Sequence, residues 1–363
     1  MNKILIIITT EFESTGGLTT VMMNYYRAMD KTSMQIDFAS TNDASDVLAA
    51  ELYLNKSNYY NLGNRKKQAF RYMLKLQKLL DEQHYDAIHI NGNSATMLME
   101  TVIAKRCGIN RIICHTHTSQ SEYPFLNMLI KPIFKLTYTK AIAVSEKSGR
   151  WLYKRDFEIL NNAINTDHYR FNEEIRSQLR QKYGLEDKYV VGTVGKLTES
   201  KNQGYLLRIF AEYYKENNNS VLMIVGGGEL EVSLKEQAKD LGIYDNTLFL
   251  GMREDVNRLI QCFDIFVFTS VYEGFGMVLV EAQASGLYCI ASDSIPKETK
   301  ITNNIEFISL RQPTSDWVLS IKKQQNRNVD RRKMSLAAYD SICEHGFNIA
   351  SEAKKLEQIY LQS

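Results

Sequence analysis

The stretch Phe266-Val-Phe-Thr-Ser-Val-Tyr-Glu273-Gly-Phe-Gly-Met-Val-Leu-Val-Glu281-Ala-Gln-Ala-Ser-Gly286 decides the fold. It opens with a continuous apolar run ending at Ser270, the pattern of a strand buried on both faces, as in a parallel sheet covered by helices. The strand stops at a carboxylate, Glu273. Gly274, Phe275 and Gly276 follow, where small residues let backbone N–H groups approach a ligand, and a helix then carries Glu281 about two turns further on. Glycines at the mouth of such a helix make a ready phosphate site, because free amides and the positive end of the helix dipole point there. An isolated Glu-Gly-x-Gly serves equally well as a tight turn flanked by solvated acids.

Outward from that stretch the same unit recurs. A first strand over residues 3–9 leads to Gly16-Gly17 and a helix over 21–29. Further strands at 35–39, 87–90 and 111–115 alternate with helical patterns, which argues βαβ units and a parallel sheet. The Gly16-Gly17 loop lacks Gly-x-Gly-x-x-Gly, which argues against a dinucleotide fingerprint. Three of six histidines stand at expected strand ends: His89, then His115 and His117 in Cys-His-Thr-His-Thr-Ser. The carboxyl ends of parallel strands face the ligand crevice, and alternation puts His115 and His117 on one face if the strand persists that far. No carboxylate or cysteine accompanies them at ligand spacing, which argues against a metal.

A second series begins near Phe171. Its first strand ends at Gly195-Lys196, with Lys201 on the same loop and Asn202 opening a helix. Two ammonium groups there can neutralise the charge of a departing diphosphate, and solvated loop lysines are the plain alternative. Gly192-x-x-Gly-Lys-Leu is not a P-loop, since four residues should separate the glycines and Ser or Thr should follow the lysine. Strands ending at Gly226-Gly-Gly-Glu229 and Gly251-Met-Arg253 precede the 266–286 stretch. A strand over 287–293 and a closing helix over 350–361 follow it.

The order Ser-x-Tyr-Glu-Gly-Phe-Gly-x-x-x-x-Glu-Ala-x-Ala-x-Gly, with Glu273 and Glu281 separated by seven residues, resembles the Glu-x7-Glu signature of the retaining GT-B glycosyltransferases of family 4, also called group 1. Matching motifs run from Gly16 to Asp293. The resemblance implies an α/β protein of GT-B fold, two Rossmann-like domains whose parallel sheets face a central cleft. These would be an acceptor-binding domain over 1–168, a nucleotide-sugar-binding domain over 169–345, and a helix over 346–363 crossing back to the first domain.

The resemblance also implies the chemistry. A hexose would pass from a nucleotide diphosphate sugar, a UDP-sugar first, to an acceptor hydroxyl with retention, without a metal and with no cofactor beyond the donor. A lipid-linked saccharide in capsule, exopolysaccharide or O-antigen synthesis is the acceptor class it suggests. It assigns the diphosphate to Lys196, Lys201 and the amides of Gly274, Phe275 and Gly276. The donor sugar falls to Glu273 and to His117, with His115 the alternate, and the ribose to Glu281. Gly16 and Gly17 would lie opposite the diphosphate, and Gly226, Gly251 and Arg253 along the nucleotide. Lys196 departs from the more usual Arg, keeping charge and losing bidentate geometry. Asn162-Ala163 stands for Asn-Gly, and Asn165 for Asp. No Asp-x-Asp occurs, which argues against the metal-dependent GT-A class. Two rival readings are a sugar-nucleotide epimerase on the same scaffold and a catalytically silent partner subunit.

Composition bounds the rest. At 363 residues two domains are expected, and 44 Lys+Arg against 42 Asp+Glu leave a net charge of +2, so no global field argues for nucleic acid. Five cysteines without metal-like spacing read as reduced residues of a cytoplasmic protein. The basic-then-apolar start is too short for a signal peptide and meets Glu11 and Glu13 at once. Local basic segments stand out. Residues 65–80 hold six basic residues and no acid, with Lys67, Arg71, Lys75 and Lys78 on one helical face and Ala69, Met73, Leu76 and Leu80 on another. A second segment runs from Lys131 to Arg155, behind Tyr123-Pro-Phe-Leu. Both suit a surface helix packed on the sheet, or a peripheral contact with anionic lipid at the inner face of the plasma membrane.

Overall fold

The computed structural model describes residues 1–13, 16–327 and 329–361. The chain divides into two compact units, one of Met1–Ala163 with the residues from Gly346 onward, the other Ile164–His345. The divide falls ahead of residue 168 for a packing reason. Leu160 and Ala163 join the first unit's core, while Tyr169 packs on a core of the second.

The first unit holds seven strands: β1 (Asn2–Ile8), β2 (Met34–Ser40), β3 (Tyr59–Asn61), β4 (Ala87–Gly92), β5 (Arg111–Thr116), β6 (Lys140–Ala143) and β7 (Glu158–Ile159). They form one parallel sheet in the order β3-β2-β1-β4-β5-β6-β7. Alternate residues of β1 feed opposite cores, Ile4, Ile6 and Ile8 on one face and Leu5 and Ile7 on the other. A strand covered on both faces must be apolar at every position, so the run Ile4 to Ile8 reads without alternation. The Gly17–Ala28 helix and the C-terminal Ile349–Leu361 helix pack together on the first of these faces. There Ala353, Leu356 and Tyr360 meet the core that holds Met22, Tyr25 and Tyr26.

The second unit repeats the plan with β8 (Tyr189–Val194), β9 (Ser220–Val225), β10 (Thr247–Phe249), β11 (Ile265–Phe268), β12 (Tyr288–Ser292) and β13 (Ile305–Ile308). Their parallel order is β10-β9-β8-β11-β12-β13. In both sheets the order reverses beside the first strand, between β1 and β4 and between β8 and β11. Such a switch point splays the following loops apart and leaves a crevice at the carboxyl ends of the strands.

The basic 65–80 segment differs from its helical reading. The helix is Ala69–Gln83, and its buried stripe is Tyr72, Leu76, Leu79 and Leu80, with Met73 only half-buried. Arg65 lies outside the helix and is not a surface cation. Its guanidinium donates to both Glu100 carboxylate oxygens (2.6 and 3.0 Å) and to the Thr96 carbonyl (2.5 Å), with Glu100 fully buried.

Candidate functional site

Four loops of the second unit are laced into one rim at the carboxyl end of its sheet. The Gly195 amide donates to the Val225 carbonyl, the Leu197 amide to Gly227, and the Gly226 amide to Gly251. The loops after β8 and β11 are joined at the switch point by the Val271 amide donating to the Ser200 carbonyl, and by Asn202 Nδ2 donating to the Thr269 carbonyl (3.2 Å). The Thr269 hydroxyl returns a bond to the Asn202 carbonyl (2.9 Å).

On this scaffold Lys201 Nζ donates to Glu273 Oε1 at 2.5 Å. The pair is largely shielded from solvent, and the ammonium also lies 5.3 Å from the centre of the Phe268 ring. Lys196, on the same loop, is exposed. Gly276 caps the Met277–Ala284 helix at φ +95°, a left-handed conformation that L side chains rarely adopt. That helix has no acid in its first turn, so its free amides face no carboxylate of their own. Gly274 leaves open space where a side chain would stand, and Phe275 is half-buried. Ser270, at the end of the β11 run, has a buried hydroxyl with no hydrogen-bond partner. Sequence reasoning read Ser270 only as the end of the strand, although it stands within the stretch that decided the fold. Gly251 follows β10, and Arg253 beyond it is held by Asp255 through two bonds of 2.8 and 2.7 Å.

Glu281, in the Met277–Ala284 helix, is hydrogen-bonded to Tyr169. Burial pushes its carboxyl up to about 7, the Tyr169 hydroxyl opposing part of the rise. A carboxyl raised in the folded state contributes stability that is fully present below about pH 4.5 and is lost as pH rises through about 7. We therefore expect Glu281→Gln to match the wild-type melting temperature near pH 4 and to exceed it near pH 8. The upper bound is about 3 kcal/mol, reduced by whatever solvent screens a half-buried group. Melting curves of the two proteins that stay parallel from pH 4 to 8 would contradict the shift.

In the first unit, Gly16 caps the Gly17–Ala28 helix behind β1, and Gly17 leaves open space for a side chain. Residues 14 and 15 of that loop lie outside the described residues. β5 ends at Thr116, so His115 is within the sheet and fully buried while His117 follows it half-buried at the rim. Parallel register brings in His89: its ring stacks on His115 at 5.4 Å, and His115 lies 4.1 Å from His117. Face-on stacking is not a ligand geometry, and among the described residues no three metal-binding side chains converge.

Burial holds all three imidazoles neutral, with His89 and His117 lowered to about 3 and His115 lowered further by its two neighbours. His117 Nε2 lies 3.0 Å from Asn91 Oδ1, while Asn91 Nδ2 donates to the His89 carbonyl. An amide oxygen can only accept, so Nε2 carries the proton and Nδ1, buried and without a partner, is left as an acceptor. Asn91 was visible in Ile-His-Ile-Asn-Gly, but only the register of β4 on β5 gives it this role. Also at this rim, a cavity of 690 Å³ is lined by Glu11, Gly16, Arg65, Asn93, Gln120 and Tyr123, among others.

Two doubly wound parallel sheets, one rimmed by a Lys–Glu pair and a glycine-opened helix, place the protein in the GT-B glycosyltransferase class. Comparison with known families and structures agrees. Residues 15–168 match the model of "Glycosyltransferase Family 4" and residues 175–316 that of "Glycosyl transferases group 1". The chain is 27% identical over 361 residues to the putative glycosyltransferase EpsF of Bacillus subtilis, covering 95% of this chain and 93% of that one. It is 26% identical over 318 residues to the UDP-Gal:alpha-D-GlcNAc-diphosphoundecaprenol alpha-1,3-galactosyltransferase of Escherichia coli, covering 80% and 78%. Its fold superposes on Anabaena Alr3699/HepE, solved in complex with UDP, with a TM-score of 0.78 at 17% identity over 99% of each chain. The chain belongs to the group 1, family 4 glycosyltransferases.

Proposed function

We propose that this glycosyltransferase moves a hexose from a UDP-sugar, with retention at the anomeric carbon, to a hydroxyl of a lipid-linked saccharide in bacterial-type polysaccharide assembly. The observation that carries the reading is the Lys201–Glu273 pair at the second unit's switch point, beside the amide-rich start of the Met277–Ala284 helix. The diphosphate rests on those amides at Gly274, Phe275 and Gly276, with Lys196 and Lys201 opposing the charge that grows as it leaves. Glu273 accepts hydrogen bonds from donor-sugar hydroxyls, held in place by Lys201, and Glu281 accepts from the ribose hydroxyls. The nucleotide runs past Gly226, Gly251 and Arg253. Neutral His117 accepts a hydrogen bond from a sugar hydroxyl at Nδ1, and the polar cavity of the first unit, lined in part by Gly16, suits a saccharide acceptor.

In the step itself the bond from the anomeric carbon to the diphosphate oxygen breaks as the acceptor oxygen bonds to that carbon. The acceptor proton passes to the released diphosphate, so no side-chain base is needed. The lipid-linked acceptor class is supported by the diphosphoundecaprenol-linked substrate named for the E. coli relative, and the uridine base by the UDP complex of the structural neighbour. A thermal-shift screen of nucleotides and nucleotide sugars tests the donor. We expect UDP compounds to raise the melting temperature, by about 2.7 kcal/mol of stabilisation at a hundred times Kd, and GDP compounds not to. No shift with any nucleotide would refute the reading. With lipid extract and a labelled donor, interconversion of free sugar nucleotides would indicate an epimerase, and binding without turnover a silent subunit.

A further inference from the structure

The Pro124–Phe134 helix of the first unit is apolar nearly all round, and only one side of it is covered. Asn127 and Phe134 are buried, with Ile130 and Lys131 half-buried, which sets the inner stripe. The outer side carries Phe125, Leu126, Met128, Leu129, Pro132 and Ile133, continued by Leu136. At 3.6 residues per turn these fill one unbroken arc of about 160°. Their exposure is high for such side chains: 70% for Phe125, 61% for Met128, 57% for Ile133 and 74% for Leu136. Soluble surfaces seldom carry a contiguous apolar patch of this kind without a partner.

Its surroundings name the partner's chemistry. Lys131 and Lys135 lie on the helix and just past its end. They and Lys154 sit close enough that their mutual repulsion, after burial, depresses the Lys131 ammonium. Lys140, Lys154 and Arg155 line the adjoining groove with Lys135. At the other end Lys66 approaches the Tyr123 ring at 6.0 Å, and Phe70 is exposed beyond it. Glu122 pairs with Lys66 and Glu158 with Lys140, and Asp156 also lines the groove, which leaves Lys135, Lys154 and Arg155 as its cations outside those ion pairs. A second copy would bring like charges together across a two-fold axis, since an isologous contact faces each patch with itself. An apolar ridge flanked by lysines fits the boundary between anionic headgroups and acyl chains, where the stems bury and the ammonium groups reach phosphate.

We propose that the outer face of the Pro124–Phe134 helix docks this protein on an anionic bilayer, inserting Phe125, Leu129 and Ile133 while Lys135 and Lys154 meet lipid headgroups. The contact is interfacial, and among the described residues no helix is long and apolar enough to cross a membrane. The inference deepens the lipid-linked acceptor reading and rests on it for its purpose. Because Tyr123 begins the docking helix and also lines the polar cavity, a membrane-borne acceptor would meet that cavity at the bilayer surface.

The test is co-sedimentation of the full chain with sucrose-loaded vesicles of phosphatidylcholine alone or with about one quarter phosphatidylglycerol. The wild type should sediment with the anionic vesicles, less with neutral ones, and less again at high salt. Leu129→Asp with Ile133→Asp should lower partitioning about tenfold or more, while Lys135→Glu with Lys154→Glu should remove the preference for anionic lipid. Thermal melts of each variant check folding, and UDP-sugar thermal shifts should be unchanged in both. Absence of wild-type sedimentation, or partitioning unaltered by Leu129→Asp with Ile133→Asp, would overturn the proposal. So would a wild-type dimer by light scattering that this double change dissociates without any vesicle binding. Vesicle binding without a UDP-sugar shift would instead leave the docking surface standing and refute the donor reading.

Discussion

Replacing Lys201 by alanine should lower kcat for sugar transfer by about 10²–10³-fold, the cost of removing one preorganised group that faces developing charge. In the proposed reading the ammonium opposes the negative charge that grows on the departing diphosphate, so its loss should fall on kcat more than on KM. Glu273→Ala should be similarly severe, for a different reason. Without the carboxylate the donor sugar would lose the acceptor proposed for it, and Lys201 loses the partner that holds it 2.5 Å away in a shielded site. Because the two side chains touch, their effects should not add, and the double variant should be about as slow as the worse single one. Breaking a shielded pair also costs stability, up to about 3–5 kcal/mol when one charge is stranded. Rates must therefore be read beside melting temperatures. Both single variants transferring sugar within about tenfold of wild type, with intact folds, would remove the pair from the mechanism.

How much of this was visible in the sequence follows from what periodicity encodes. A run such as Ile4 to Ile8 announces a strand covered on both faces, and glycines with a carboxylate at its end announce a ligand rim. Hence the fold class and most rim residues could be named from the sequence. Strand order is another matter. Lys201 and Glu273 are 72 residues apart in sequence, and they meet because β11 pairs with β8 across the switch point, a neighbour relation that no local pattern carries. The same holds for the histidines. His115 and His117 share a sequence motif, but the stacking of His89 and the tautomer of His117 depend on the register of β4 against β5.

Burial is the other thing local pattern leaves open. Arg65 sits in a basic run and reads as a surface cation, yet Glu100, 35 residues further on, draws it inside. The Pro124–Phe134 helix shows the converse. Its apolar residues point all round, so nothing in their spacing tells which side is covered, and only the packing of Asn127 and Phe134 leaves the outer arc exposed. Rim residues followed from chemistry at strand ends; docking surfaces depend on what the rest of the chain fails to cover.

The second large effect is expected at a residue with no side chain. Gly226 adopts φ +142°, and a methyl group there would collide with the Gly195 carbonyl oxygen and lie 2.8 Å from its carbon. Neither neighbour can yield cheaply. The Gly195 amide is tied to the Val225 carbonyl and the Gly226 amide to Gly251, each at 2.9 Å. Gly226→Ala must therefore push the loops after β8 and β9 apart, and the former carries Lys196 and Lys201. Strain at such a backbone position costs about 1–3 kcal/mol, and overpacking a similar amount. We expect the variant to melt several degrees lower, to lose the nucleotide-induced thermal shift, and to transfer sugar at least about a hundredfold more slowly, as misplaced charge-stabilising groups do. Gly274→Ala is the matched comparison, because its methyl group would enter open space on the same rim and should leave the melting temperature near wild type. If Gly226→Ala melts like Gly274→Ala and binds UDP like the wild type, then the close approach of the two loops does not hold the lysines in place, and the rim cannot be what preorganises the diphosphate site.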